Sequence, residues 1–310
     1  MKRIDLWVIA IFTSLLLSAC GAPVTPAATA TALPPTPEAT MIPLQPATPT
    51  AGIAPLTMQT LRNMQYALPF YNRTVSLTDG SYQEGAGGNS YSVILLDNTM
   101  AFGDLDGDGV ADAVAVVSEN GGGSGEFESL IAILDQAGTP AQVSAAQLGD
   151  RVQINAVSIQ DGQVMLQMLV QGPNDPMCCP SLPVTETYVL SNGNLVLVHL
   201  TSETADGTKR IIQIESPAAG TQVADTVEVK GSMSVAPFEN TLGYRLYDVT
   251  DNQLAEGSLT VDATGTGGTF DATIDVSPVP TGTAFRLVLL DISAADGTTL
   301  ALDSVDLSRK

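Results

Sequence analysis

Phe102-Gly103-Asp104-Leu105-Asp106-Gly107-Asp108-Gly109-Val110-Ala111-Asp112, running straight into Ala113-Val114-Ala115-Val116-Val117, is the stretch on which the reading of the fold turns. Asp stands at positions 1, 3, 5 and 9 of the loop that begins at Asp104, and Gly107 and Gly109 permit the tight bends. The five residues that follow are small or β-branched and apolar, which suits a buried strand. The reading is strand, acidic loop, strand. Calcium takes six to eight hard oxygen ligands, and closely spaced carboxylates on a glycine-bent loop supply them. Asp104, Asp106 and Asp108 would each offer a carboxylate, Val110 its backbone carbonyl, and Asp112 a carboxylate directly or through water. The alternative is an acidic turn that binds nothing specific, but four carboxylates without a cation repel one another. Structural Ca2+ bracing one hairpin is therefore the expectation.

The Asp spacing resembles the calcium loops of integrin-type FG-GAP repeats and also the front of an EF-hand loop. It departs from the EF-hand at position 12, where Ala115 replaces the bidentate Glu, and in the strand that follows where an EF-hand has a helix. FG-GAP propellers need several repeats, and only this loop occurs, so a propeller is not expected.

Around the loop, residues 56–202 read as a β-rich α+β domain. Leu56 to Tyr66 is expected to be a short helix with Thr57 as N-cap and Leu61 and Met64 facing inward. After Pro69 the pattern turns to strands at Thr74–Leu77, Ser90–Leu96, Ala113–Val117, Leu130–Leu134, Val152–Ile159, Gln163–Val170, Glu186–Leu190 and Asn194–Leu200. Asp79-Gly80, Asp161-Gly162 and Asn192-Gly193 have the chemistry of two-residue hairpin turns. The domain resembles one that recurs in secreted bacterial proteins, through Asn63-Met64-Gln65-Tyr66, Phe102-Gly103-Asp104 with the Asp loop, Gly122-Gly123-Ser124-Gly125, Leu148-Gly149-Asp150-Arg151 and Asp175-Pro176-Met177-Cys178-Cys179-Pro180. The resemblance implies no known activity. Cys178 and Cys179 are adjacent, open to a vicinal disulfide or to two thiols in a Pro-bounded turn, and a structural role is expected. Zinc would need two further ligands, and the chain has a single histidine, His199, which sits in a strand pattern.

Ser202 to Thr208 is polar and reads as a linker. Residues 209–310 then show about seven strand-like runs: Ile211–Glu215, Thr226–Lys230, Thr241–Asp248, Gln253–Val261, Gly268–Val276, Ala284–Ile292 and Thr298–Leu307. Leu242, Tyr244 and Leu246 alternate with Arg245 and Tyr247, and Phe270, Ala272 and Ile274 alternate with Thr269, Asp271 and Thr273. Seven alternating strands of this length predict a β-sandwich. Glu215-Ser216-Pro217 with Gly220 and Val223, Val229-Lys230-Gly231, Phe238-Glu239-Asn240-Thr241 and Ser293-Ala294-Ala295-Asp296-Gly297 resemble the immunoglobulin-like domain of bacterial spore-germination proteins. The resemblance implies an extracytoplasmic module that binds a partner or acts as a spacer. The fold class expected for the chain is thus mainly β, a β-rich α+β domain followed by an Ig-like β-sandwich.

The N-terminus carries a different signal. Lys2 and Arg3 precede an apolar run from Leu6 to Leu17, and Leu17-Ser18-Ala19-Cys20 closes it. This order of charge, apolar core and small residues describes a secretory signal peptide, and the run is too short to span a bilayer. With Cys20 in place it resembles the lipobox of bacterial lipoproteins, which implies removal of residues 1–19, a lipid on Cys20 and attachment to a bacterial membrane outside the cytoplasm. Residues 20–55 hold nine of the 19 prolines and a single charge, Glu38. Such a segment buries too little apolar surface to offset its ordering entropy and reads as a disordered stalk.

The chain has 310 residues and a formal net charge of −21, which argues against nucleic acid as a partner because phosphate contacts need basic patches. Glu126 and Glu128 would share one side of a strand, whereas the carboxylate pairs of glycosidases normally come from different elements at a set separation. No Gly-x-Ser-x-Gly elbow or phosphate loop accompanies them. The expectation is a non-enzymatic, lipid-anchored binding or envelope-associated protein, its partner an envelope protein or polysaccharide. The alternative is a hydrolase acting on cell-envelope polymers.

Overall fold

The computed structural model describes residues 56–173 and 175–310. The leader, Cys20 and the stalk lie outside the described residues. A single α-helical turn, α1 (Met58–Leu61), starts the described chain; Thr57 caps it by accepting the Thr60 N–H at 3.1 Å. The helix is shorter than the expected Leu56–Tyr66. Tyr66 instead enters a strand, fully buried, and its hydroxyl donates to the Leu61 carbonyl. The Asn63 side chain donates to the Gln59 carbonyl and accepts the Asp79 N–H, so the chain turns where a longer helix would have continued.

Strands follow as β1 (Gln65–Leu68), β2 (Arg73–Ser76), β3 (Ser81–Glu84), β4 (Tyr91–Leu95), β5 (Ala101–Gly103), β6 (Asp112–Asn120), β7 (Phe127–Asp135), β8 (Pro140–Asp150), β9 (Gln153–Gln160), β10 (Gln163–Val170), β11 (Leu182–Ser191) and β12 (Asn194–Glu203). The remainder are β13 (Lys209–Arg210), β14 (Ile212–Ser216), β15 (Gln222–Val223), β16 (Thr226–Met233), β17 (Thr241–Asp248), β18 (Gln253–Thr260), β19 (Asp262–Thr264), β20 (Gly267–Asp275), β21 (Ala284–Ile292) and β22 (Thr299–Arg309). The architecture is mainly β. Every strand run expected from the sequence is present, β6, β7, β11, β12, β16 and β22 with longer ends. β8 was not expected: its Ala- and Gln-rich sequence alternates weakly, and it forms because β7 offers it a full partner edge.

Strands β3-β4-β6-β7-β8, with β5 on β6, make one sheet. Its central strands are buried on both faces, which explains the unbroken apolar run at 113–117. On one face Ala113, Ala115, Val117, Ile131 and Ile133 meet Leu61, Tyr66, Leu68 and Val75 of α1 and the β1–β2 hairpin. On the other, Val114, Val116, Leu130 and Ala132 meet Val164, Leu166, Met168, Val184 and Tyr188 of the β9–β12 meander. Asp161-Gly162 and Asn192-Gly193 close that meander with left-handed φ at all four residues, as two-residue hairpins require.

The C-terminal half is a sandwich of β18-β17-β21-β22 against β14-β16-β20-β19. Leu242, Leu246, Phe270, Ile274, Leu287 and Leu289 fill its interior. The expected linker at Ser202–Thr208 is a hairpin, because β12 runs on to Glu203 and β13 folds back on it. Ser202 is buried, and its hydroxyl donates to the Leu300 carbonyl at 2.6 Å. β12 also pairs with β22 through His199↔Asp303, Leu200↔Leu302 and Thr201↔Ala301. The meander and one Ig-like sheet are therefore one continuous ten-stranded sheet. Val288 and Leu290, on the face of β21 opposite Leu287 and Leu289, pack under this seam with Leu200 and Leu302.

Candidate metal centre

β5 and β6 pair at Ala101↔Val114, Phe102↔Ala113 and Gly103↔Asp112, so the acidic loop is the connection of an antiparallel hairpin. Gly107 and Gly109 sit at φ +83° and +85°, where a Cβ is disfavoured. The loop's own N–H groups fold the carboxylates inward. Asp104 accepts from Gly107 at 2.7 Å and from Gly109 at 2.9 Å; Asp106 accepts from Asp108 at 3.1 Å, and Asp108 from Val110 at 2.7 Å. One oxygen from each of Asp104, Asp106 and Asp108 lies within 4.8 Å of the others.

That spacing fits a calcium ion. Ligand oxygens bind it at about 2.3–2.6 Å, so two on opposite sides stand about 4.6–5.2 Å apart. All donors are hard oxygens, and three monodentate carboxylates leave room for water and backbone carbonyls. Of the other two residues picked from the sequence, Asp112 is placed differently. Val110 is exposed and contributes its N–H to the loop. Asp112 is only 1 % exposed and stands apart from the three-carboxylate cluster. Its two oxygens accept the Leu105 and Asp135 N–H groups, each at 2.9 Å, so it ties the loop to the end of β7. Burial pushes the Asp112 carboxyl up, the two N–H donors oppose this, and the charges of Asp106 and Asp108 add to the rise.

The loop is also wedged into the domain. Leu105 is buried in the core between the sheets. Gly103 lies so close to β9 that a Cβ would come within 2.6 Å of the Ile159 side chain. An ion here would clamp the β5–β6 hairpin where it meets the meander.

The other sequence candidates separate. Glu126 is exposed just before β7, whereas Glu128 is 4 % exposed inside it, so the two do not form a pair open to substrate. Burial pushes the Glu128 carboxyl up to about 7, although the Ser118 hydroxyl and the Val152 N–H donate to it. His199 Nδ1 lies 3.5 Å from Asp303 on the β12–β22 seam. Cys178 and Cys179, both exposed, form a disulfide with each other in the loop between β10 and β11. Asp175 organises that loop by accepting the N–H groups of Gly172 and Ser181. The sequence reading did not single out Glu186, a carboxyl on the inner face of β11; its only signal was alternation with Val184 and Tyr188.

Fold and geometry define a mainly β protein with an immunoglobulin-like sandwich at its C-terminal end. Residues 211–298 match the immunoglobulin-like domain of bacterial spore germination. The match runs from the start of β14 to the turn before β22. A comparison with curated proteins finds no match. Among the described residues no helix is long and apolar enough to cross a membrane.

Proposed function

We propose that this chain is a lipid-anchored extracytoplasmic protein of the bacterial envelope, a non-enzymatic binding or envelope-associated module with one structural Ca2+. The observation that carries the reading is the match of residues 211–298 to an Ig-like domain of spore germination, seated on a sandwich. The lipobox-like Leu17-Ser18-Ala19-Cys20 supplies the anchor and the Pro-rich segment 20–55 the spacer. Asp104, Asp106 and Asp108 hold the ion, and Asp112 supports the loop from beneath. The ion supplies positive charge that relieves carboxylate repulsion; the chain itself positions the donors.

The joined sheet gives this reading a mechanical sense. A domain fused through β12 and β22 transmits its orientation to its neighbour, as a rigid display unit requires. Membrane fractionation of cells expressing the wild type and Cys20→Ser tests the anchor. The wild type is expected in the membrane fraction and the variant in the soluble extracytoplasmic fraction. Membrane retention of Cys20→Ser would defeat the lipid attachment.

A further inference from the structure

A cleft of about 330 Å3 opens where the meander meets the C-terminal sandwich. Val152, Val184, Leu197 and Leu200 supply apolar wall, and Thr298 enters it from the β21–β22 turn. Glu186 stands among these side chains. The alternation of β11 puts it there: Val184, Glu186 and Tyr188 share the inner face, and both cross-strand neighbours of Glu186, Leu166 and Leu200, are buried leucines. Its one side-chain partner is the Tyr188 hydroxyl, which donates at 2.7 Å. No lysine, arginine or histidine among the described residues pairs with it. The other acid lining the cleft, Asp150, is already engaged by the Arg151 guanidinium at 2.8 Å and the Glu126 N–H at 2.9 Å.

We propose that this cleft binds an organic cation, an ammonium group carried on an apolar body, with the nitrogen on Glu186 and the body against Val152, Val184, Leu197 and Leu200. Pockets of this size with largely apolar walls and a few placed polar groups, here Glu186 with Asp150, Gln171, Thr298 and Thr299 around it, are the usual form of small-molecule sites. The sign of the ligand follows from charge. Glu186 is half-buried beside two leucines and has no counterion, so it lacks the partner that desolvated charges ordinarily have. An ammonium supplies that partner, a neutral ligand does not, and an anion is repelled. The net charge of −21 raises the local concentration of cations around the whole molecule. Burial pushes the Glu186 carboxyl up to about 7, with the Tyr188 hydroxyl opposing, which is the condition a bound cation reverses. The inference depends on neither the calcium loop nor the lipid anchor.

Calorimetric titration of the whole chain with n-hexylammonium chloride tests it, with 1-hexanol, hexanoate and tetramethylammonium as comparators. Saturable binding is expected for hexylammonium, at least tenfold weaker for each comparator. Glu186→Gln is expected to weaken hexylammonium binding at least tenfold, and Lys230→Ala, on the exposed face of β16, to leave it unchanged. Absence of saturable binding, equal binding of hexanol, or wild-type affinity in Glu186→Gln would each overturn the proposal. If Glu186→Gln does not fold, the comparison of the four ligands on the wild type still decides, and Tyr188→Phe, which keeps the carboxyl, is expected to retain binding.

Discussion

The β5–β6 loop and the inner faces of β7 and β11 all carry carboxylates, and they treat them in opposite ways. Asp106 and Asp108 are exposed, with Asp104 beside them, on a glycine-bent turn whose own N–H groups aim the oxygens at one point. Glu128 and Glu186 sit singly on inner faces of strands, where desolvation dominates and both carboxyls rise to about 7. Asp112 belongs to the first group by sequence and to the second by structure. The lesson is that a carboxylate's role here follows the surface its strand or turn presents it to. Clustering on a turn brings three carboxylates within reach of one point, and placement on an inner strand face raises a carboxyl.

Asp112→Ala is the strongest way to break that division. It strands two buried N–H groups, each costing about 1–3 kcal/mol, so a loss of roughly 2–5 kcal/mol is expected with or without calcium. Denaturant midpoints in calcium and in chelator check this; a loss seen only in calcium would return Asp112 to the ligand set. The calcium effect itself comes next. An ion at a hundredfold excess over its Kd adds about 2.7 kcal/mol. Asp104→Asn with Asp108→Asn is expected to abolish that gain while changing chelator stability little. Identical wild-type melts with and without calcium would sink the metal site.

Glu128 and Glu186 sharpen the other side of the contrast. Each has a folded pKa of about 7 against an ordinary 4.5, so the folded state holds its proton more tightly. Their contribution is fully present below pH 4.5 and is lost as pH rises through 7. Roughly 1–3 kcal/mol per group is expected to disappear between pH 5 and pH 8, measured in chelator to silence the loop. Glu128→Gln is expected to flatten that slope, and an unchanged slope would remove Glu128 from the account. Smallest is the exposed Lys230–Asp271 pair at 2.9 Å, an acid that is neither clustered nor buried. Lys230→Ala is expected to cost less than about 1 kcal/mol, and a larger loss in thermal melts would show that exposure alone does not weaken a carboxylate's pairing here.

Much of the fold is legible in the chain. The seven C-terminal runs become β14, β16, β17, β18, β20, β21 and β22, because a strand with one face on a core announces itself by alternation over a few residues. The Asp-Gly and Asn-Gly turns are legible for the same reason: left-handed φ is a local demand. β8 is not legible, since its stability comes from the partner edge of β7 rather than from its own pattern. At the loop, the clustering of Asp104, Asp106 and Asp108 was visible in their spacing, but the inward turn of Asp112 toward Leu105 and Asp135 was not.

Sequence alone thus determined the mainly β class, the hairpin turns, the C-terminal sandwich and the acidic loop, all of them properties of short windows in which neighbouring residues see one another. Only the tertiary structure decided that 202–208 is a hairpin and not a linker, that β12 joins β22 into one ten-stranded sheet, and that Glu186 lines a cleft. Those features depend on which distant strand supplies the next row of hydrogen bonds and which apolar face closes over a side chain. That information is held by the packed assembly of residues far apart in the chain, and no local window contains it.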